Sequence, residues 1–164
     1  MPTVVTFNYE KTHTVGYKDG YVKAIPALTT SSRLYVIYNA TTTHPVYVGT
    51  SDDVQNRFGN RIDVCRELGY SQAQMDPISI FVVQIKIDGT PMTPGQYGVS
   101  GGIDVEHLLI RTYLKLINVN VRNAVKLGTF TNSTGGKLSW NLENNAGILN
   151  FGTHSYFLNN NQSF

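Results

Sequence analysis

The fold is decided by two short runs, Leu34-Tyr35-Val36-Ile37-Tyr38-Asn39 and Val46-Tyr47-Val48-Gly49-Thr50-Ser51. Both runs are rich in β-branched and aromatic residues, which favour strands. The polar residues between them, 39–44, are typical of a loop that forms turns, and within the second run Gly49 is expected to end a strand over Val46-Tyr47-Val48. The sequence therefore predicts two neighbouring strands here, and the rest of the chain is interpreted outward from them.

Helical and extended patterns alternate after the second strand. An apolar stripe at spacings of four, four and three predicts a helix that begins near Ser51 and ends near Gly69, with Val54, Phe58, Ile62 and Cys65 on its apolar face. Residues 78–87 predict a third strand, and the glycine-rich residues 88–102 predict a long loop. A second helix is expected over 103–117, with Asp104 as its N-cap.

The terminal segments differ from this central part. Residues 1–32 read as extended structure with a hairpin around Asp19-Gly20, and the asparagine-rich C-terminal segment reads as β-rich. The β-β-α-β-α order between them is an α+β pattern. We therefore expect one domain, 1–164, in which helices pack on a small mixed or antiparallel sheet: a core over 33–126, and β-rich extensions over 1–32 and 127–164.

Composition narrows the class of protein. The chain has 164 residues, of which 11% are aromatic, and this aromatic content argues against intrinsic disorder. It contains no apolar run long enough to cross a membrane and one cysteine, which excludes a disulfide framework. No secretory signal is visible at Met1-Pro2-Thr3, so a cytoplasmic location is expected, with signal-independent export as the alternative. A net charge of +2 does not by itself identify a nucleic-acid binder.

Four side chains form an economical set for cleaving phosphodiesters: Tyr35, Tyr47, Arg57 and Glu106. A tyrosine phenolate or a metal-bound water can take a proton. The guanidinium fork of an arginine matches a phosphate and stays charged. One glutamate can hold Mg²⁺, because this ion keeps most of its waters and takes further ligands from the substrate phosphate.

These residues resemble the motifs of the GIY-YIG nucleases. The family's first motif, Gly-Ile-Tyr-x-Ile-x-Asn, corresponds to residues 33–39, and its second, Tyr-Ile-Gly-x-Ser, corresponds to residues 47–51. The family arginine falls on Arg57, the metal-binding glutamate on Glu106, and the late asparagine on Asn118, with Asn120 as the alternate. The resemblance covers about residues 33–123, and the family core has the same β-β-α-β-α order.

The resemblance implies a metal-dependent endonuclease. One Mg²⁺ or Mn²⁺ ion would bind to Glu106, and a water would be oriented or activated beside Tyr35 or Tyr47. Arg57 would stabilise charge on the phosphate, and Asn118 would complete the catalytic set. The products would be a 5′-phosphate and a 3′-hydroxyl. Two departures stand out: Arg33 replaces the first-motif glycine, and Arg61 occupies a place that often holds histidine or tyrosine, which leaves the proton acceptor open.

Nucleic acid is the expected partner, with DNA favoured over RNA, and no membrane partner is expected. Gly49 would let the backbone pass close to a phosphate. The candidate contacts to the nucleic-acid backbone are Gly49, Arg61, Arg111, Lys115 and Arg122. The main alternative is a nucleic-acid-binding module that keeps the fold without catalysis, which Arg33 and Arg61 favour. In a third interpretation the match is chance and the chain is an α+β interaction domain.

Overall fold

A computed structural model describes residues 1–15, 17–18, 21–22, 33–39, 45–51, 78–92, 99–100, 103–117, 136–149 and 151–159. Its first strands in chain order are β1 (Thr3–Val15), β2 (Tyr17–Lys18), β3 (Tyr21–Val22), β4 (Arg33–Tyr38) and β5 (Pro45–Ser51). They are followed by β6 (Ile78–Ile87), β7 (Thr90–Met92), β8 (Val99–Ser100), β9 (Ile103–Asp104), β10 (Leu138–Glu143) and β11 (His154–Leu158). The helix α1 (Val105–Arg111) continues directly into a π-helical segment, Thr112–Ile117.

Seven of these strands form one mixed sheet. Its order is β11-β10-β1-β6-β4-β5, and β7 pairs with β6 beyond the end of β4. Strand β1 runs parallel to β10, and the other pairs are antiparallel. Two small ribbons, β2–β3 and β8–β9, stand apart from it. Strands β2 and β3 pair antiparallel, as the predicted hairpin requires, and Asp19-Gly20 between them lie outside the described residues.

The predicted α+β class, with helices packed on a small sheet, is wrong for the described residues. They are dominated by strands, they contain one helix, and the sheet curls into a half-barrel. The physical reason lies at the two ends of the chain, where apolar residues alternate with polar ones and so suit a sheet with one buried face. The alternating apolar residues are Val5, Phe7 and Tyr9 in β1, and Leu138, Trp140 and Leu142 in β10; all six are buried.

The core contains residues from both ends of the chain and from the centre. The buried face of β1 and β10 shares one cluster with Leu34 and Val36 of β4, Val48 of β5, and Leu108 and Leu109 of α1. Strands β1, β10 and β11 are therefore part of the same sheet and core as the strands over 33–87.

The third strand and the second helix are confirmed. Strand β6 covers residues 78–87, as predicted, and α1 begins at Val105 with Asp104 as its N-cap. The predicted loop after β6 instead opens with a tight hairpin, in which Asp88 and Gly89 both have positive φ (49° and 80°). Asp-Gly is a preferred pair for such two-residue turns. The predicted end of the second strand at Gly49 is wrong, because β5 continues to Ser51. Beyond Ser51, the predicted helix to Gly69 lies outside the described residues.

Two hydrogen bonds of the Thr112 hydroxyl lie at the junction between α1 and its π-helical segment. The hydroxyl of Thr112, which is fully buried, donates to the carbonyl of Leu108 at 2.6 Å and accepts from the indole N–H of Trp140 at 2.9 Å. A π-helical turn is uncommon in proteins. The junction thereby ties the helix to β10.

Three buried tyrosine hydroxyls meet beside this junction. The Tyr113 hydroxyl lies 2.6 Å from that of Tyr9 and 3.1 Å from that of Tyr38. Burial raises the pKa of each of these three phenols well above the ordinary value of 10.0. The cluster joins the helix to β1 and β4, because each partner comes from a different element.

Within the described residues, no helix is long and apolar enough to cross a membrane.

The tyrosine cluster predicts a loss of stability at alkaline pH. The unfolded chain releases phenol protons near pH 10, whereas the folded chain retains them. The free energy of unfolding should therefore fall as pH rises above 10, by about 1.4 kcal/mol per pH unit for each such phenol. Tyr113→Phe should reduce this slope by one phenol, and at neutral pH it should cost about 1–3 kcal/mol because Tyr9 and Tyr38 lose their partner.

Denaturant titrations at several pH values, followed through the single tryptophan, Trp140, measure both effects. The matched control is Tyr47→Phe, which removes a partly exposed phenol on β5, a strand that contributes no tyrosine to the cluster. A Tyr113→Phe protein with unchanged stability and unchanged pH slope would contradict the cluster.

Candidate functional site

The tyrosines of the two motifs lie on one face of the β4–β5 pair. Tyr35 is paired with Gly49, and Ile37 is paired with Tyr47, so the tyrosines are diagonal neighbours across the two strands. Their rings are nearly parallel, with centroids 6.4 Å apart and an interplanar angle of 22°. Tyr35 is 1% exposed, whereas Tyr47 is partly exposed. Tyr47 is therefore the member of this tyrosine pair that solvent can reach.

Gly49 provides the space in which these rings pack. A Cβ atom at this position would lie 2.6 Å from the Tyr35 hydroxyl oxygen and 2.9 Å from Cε1 of Tyr47. Both distances are shorter than real Cβ atoms tolerate. The absent side chain is thus explained by the two rings. A direct contact between the Gly49 backbone and a phosphate stays a prediction.

The carboxylate of Glu106 is held by the next residue of β5. The Thr50 hydroxyl donates a hydrogen bond of 2.6 Å to Glu106 Oε2, across 56 positions of sequence. Glu106 lies in the first turn of α1, where the helix dipole favours an ionised carboxylate. Both side chains are partly exposed. This contact brings the second motif and the predicted metal ligand together.

The tyrosine pair and the carboxylate lie on different faces of β5. Successive residues of a strand point to opposite faces. Thr50 is paired with Leu34 of the core and lies two residues from Val48, so it faces the core and α1. Gly49 faces the other side with Tyr35 and Tyr47. The predicted residues are therefore brought to one short stretch of β5, Gly49-Thr50, and divided between its two faces.

Asp104 and His107 form a capping pair beside this stretch. Asp104 Oδ1 accepts from the backbone N–H of His107 at 3.0 Å, and its Oδ2 lies 2.9 Å from His107 Nδ1. The hydrogen bond to Asp104 raises the pKa of His107, against a smaller opposing effect of burial. This pairing gives both residues a structural role at the start of α1.

Arg111 does not lie on an open surface. It is 5% exposed in the last turn of α1, and burial lowers its pKa. Lys115 lies in the π-helical segment, and its side chain is outside the described residues, as are the residues Arg57, Arg61, Asn118, Asn120 and Arg122. Arg33, the departure in the first motif, begins β4 opposite Ser51.

Sequence reasoning missed Thr50. The residue occupies the variable place of the second motif, Tyr-Val-Gly-Thr-Ser, and nothing in a single sequence distinguishes it from another β-branched strand residue. Its role becomes visible only through the partner that the fold places beside it.

Glu106 is the carboxylate that the sequence predicts as a metal ligand. Among the residues that the structure describes, no group of three or more histidine, cysteine, aspartate or glutamate side chains could hold an ion. A single partly exposed carboxylate fits Mg²⁺, which keeps several waters and needs one or two protein carboxylates.

Comparisons with protein-family models, with curated proteins and with solved structures each find no match.

The packing around Gly49 predicts a specific steric effect. Gly49→Ala places a methyl group against Tyr35 and Tyr47, and overpacking of this kind should lower the free energy of unfolding by about 1–3 kcal/mol. Part of this loss should be recovered when Gly49→Ala is combined with Tyr35→Phe, because the closest atom is then removed while Cζ, at 2.8 Å, remains.

A double-mutant cycle on the two single variants and the double variant, measured by urea denaturation, tests this coupling. Additive effects of Gly49→Ala and Tyr35→Phe would show that the Tyr35 hydroxyl does not fill the space above Gly49.

Proposed function

We propose that this protein is a metal-dependent endonuclease that hydrolyses phosphodiester bonds of nucleic acid, with DNA favoured. The observation that supports this most is the meeting of three segments at Gly49-Thr50: the first-motif tyrosine, the second motif and, from 56 residues away, the helix that carries Glu106. The sequence motifs supply the chemistry, and this proximity supplies a reason for their spacing.

Glu106 is the proposed ligand of one Mg²⁺ or Mn²⁺ ion. When bound, the ion would polarise the scissile phosphate and lower the pKa of a coordinated water. The part played by the chain is to hold the carboxylate ionised and oriented. The first turn of α1 favours the ionised form, and the Thr50 hydroxyl orients the carboxylate.

The tyrosines are proposed to orient or activate the attacking water. Tyr47 is the better placed of the two, since it is partly exposed and Tyr35 is almost fully buried beneath Gly49. Tyr35 then acts mainly by fixing the ring of Tyr47. Arg57 is proposed to stabilise charge on the phosphate, and Asn118 to complete the catalytic set.

Nucleic acid would approach the sheet edge at β5. Among the described strands, β5 ends the strand order, so a phosphodiester lying along this edge could contact both faces of Gly49-Thr50. Arg61, Lys115 and Arg122 are the proposed backbone contacts. Arg111 was also predicted to contact the nucleic-acid backbone, but its burial makes it a weaker candidate for this role.

The division of the site between two faces favours a second candidate function, a nucleic-acid-binding module without catalysis. A tyrosine that acts on a water bound near Glu106 must reach it around the edge of β5. The bulky Arg33 at the start of β4 supports the same alternative.

Cleavage assays on plasmid DNA and structured RNA separate these candidates. With Mg²⁺ we expect strand cleavage that chelator abolishes and that Glu106→Gln and Arg57→Ala reduce by on the order of a hundredfold or more, because each removes a group that stabilises the transition state. The matched control is Glu143→Gln, which removes a carboxylate on β10, remote from β5 in the strand order.

Binding of DNA without cleavage, in the presence of Mg²⁺ and of Mn²⁺, would favour the silent module. Cleavage that is unchanged in Glu106→Gln would overturn the assignment of the metal. Retained folding of each variant is checked by the fluorescence of the buried Trp140.

A further inference from the structure

We propose that Thr50 is a positioning residue that sets the metal affinity of Glu106. This inference rests on the proposed function and adds to it a residue that none of the motifs assigns. The evidence is the hydrogen bond of 2.6 Å from the Thr50 hydroxyl to Glu106 Oε2. Such a short bond to a carboxylate is charge-assisted and stronger than one between neutral groups.

The two partners differ in stiffness. Thr50 lies on a strand that is paired with β4, and a β-branched side chain has few rotamers open to it. A glutamate side chain has three rotatable bonds, and ordering it costs conformational entropy. The hydroxyl therefore orders the carboxylate in advance of metal binding, so that this cost does not reduce the affinity for the ion.

The position of Thr50 on β5 explains why the hydroxyl can reach α1. The residue faces the core side with Leu34 and Val48, and α1 packs on that side through Val105 and Leu108. A residue one place earlier or later on β5 faces away from the helix. Thr50 is therefore the residue of the second motif whose side chain connects the sheet to the predicted metal ligand.

Partners of metal ligands typically change metal affinity by 10- to 100-fold when they are removed. We therefore expect Thr50→Val, which keeps the shape of the side chain, to weaken binding of Mn²⁺ by about 10- to 100-fold. Thr50→Ser keeps the hydroxyl, so its affinity for Mn²⁺ should stay within about threefold of the wild-type affinity. The matched control is Thr6→Val on β1, a strand separated from β5 by β6 and β4.

Isothermal titration of the nucleic-acid-free protein with Mn²⁺ measures this affinity directly. Cleavage assays over a range of Mn²⁺ concentrations give a second readout: Thr50→Val should need more metal for half-maximal rate and should regain most of its kcat at saturating metal. A residue that only stabilised the fold would not raise the metal concentration needed for half-maximal rate while leaving kcat at saturating metal nearly unchanged. Serine at the same position would also not restore the wild-type behaviour in that case. Should Thr50→Val fail to fold, as judged by Trp140 fluorescence, Thr50→Ala takes its place.

The outcomes separate this inference from the proposed function. Wild-type protein that does not bind Mn²⁺, or that binds it no more tightly than the Glu106→Gln variant does, overturns both. Mn²⁺ binding that depends on Glu106 and is equal in the wild-type, Thr50→Val and Thr50→Ser proteins overturns the role of Thr50 alone. Loss of affinity in Thr50→Val and in Thr50→Ser alike also overturns it, because the hydroxyl is then not the group that matters.

Discussion

Strand β6 is hydrogen-bonded along both of its edges, and the rest of the structure depends on this pairing. One edge pairs with β1 over residues 78–87, and the other pairs with β4 and then with β7. A strand with two paired edges has few unsatisfied backbone groups, and residues 80–83 of β6 are buried. Because β1 in turn pairs with β10, β6 joins the two ends of the chain to the strands that carry the candidate site.

The local chemistry of the site follows from the period of two along β5. Adjacent residues serve opposite faces, so a glycine can accommodate two aromatic rings on one side while the next residue binds a carboxylate on the other. Neither position tolerates exchange with its neighbour: a side chain at Gly49 meets Tyr35, and a glycine at Thr50 has no hydroxyl for Glu106. Exchanging Gly49 and Thr50 would therefore disturb the ring packing and remove the hydrogen bond, whatever reaction the site performs.

Local patterns in the sequence predicted the elements that depend on short-range physics. Strands β4, β5 and β6, the β2–β3 hairpin and the Asp104 cap of α1 were all accessible from composition, alternation and turn residues. The class of the fold was not, because it depends on pairing between β1 and β10 from opposite ends of the chain. The alternation of Leu138, Trp140 and Leu142 with polar residues predicts a strand but not its partner, so this segment was interpreted as a β-rich extension.

The candidate site shows the same division between local and long-range information. The proximity of Tyr35, Tyr47 and Gly49 follows from pairing two adjacent strands, which the motifs already implied. The face on which Glu106 lies depends instead on where α1 packs, and no local pattern specifies that. Thr50 could not be singled out for the same reason, since its partner lies 56 residues away.

Packing at the far end of α1 therefore controls the geometry at its first turn. The helix is held at its start by the Asp104 cap, and at its end by the Thr112–Trp140 bond and by Tyr113. Because α1 has seven residues, a shift at the Thr112 junction is transmitted to Glu106 along about two turns of rigid helix. The buried aromatic contacts to β1, β4 and β10 therefore hold the end of the same short helix whose first turn carries Glu106.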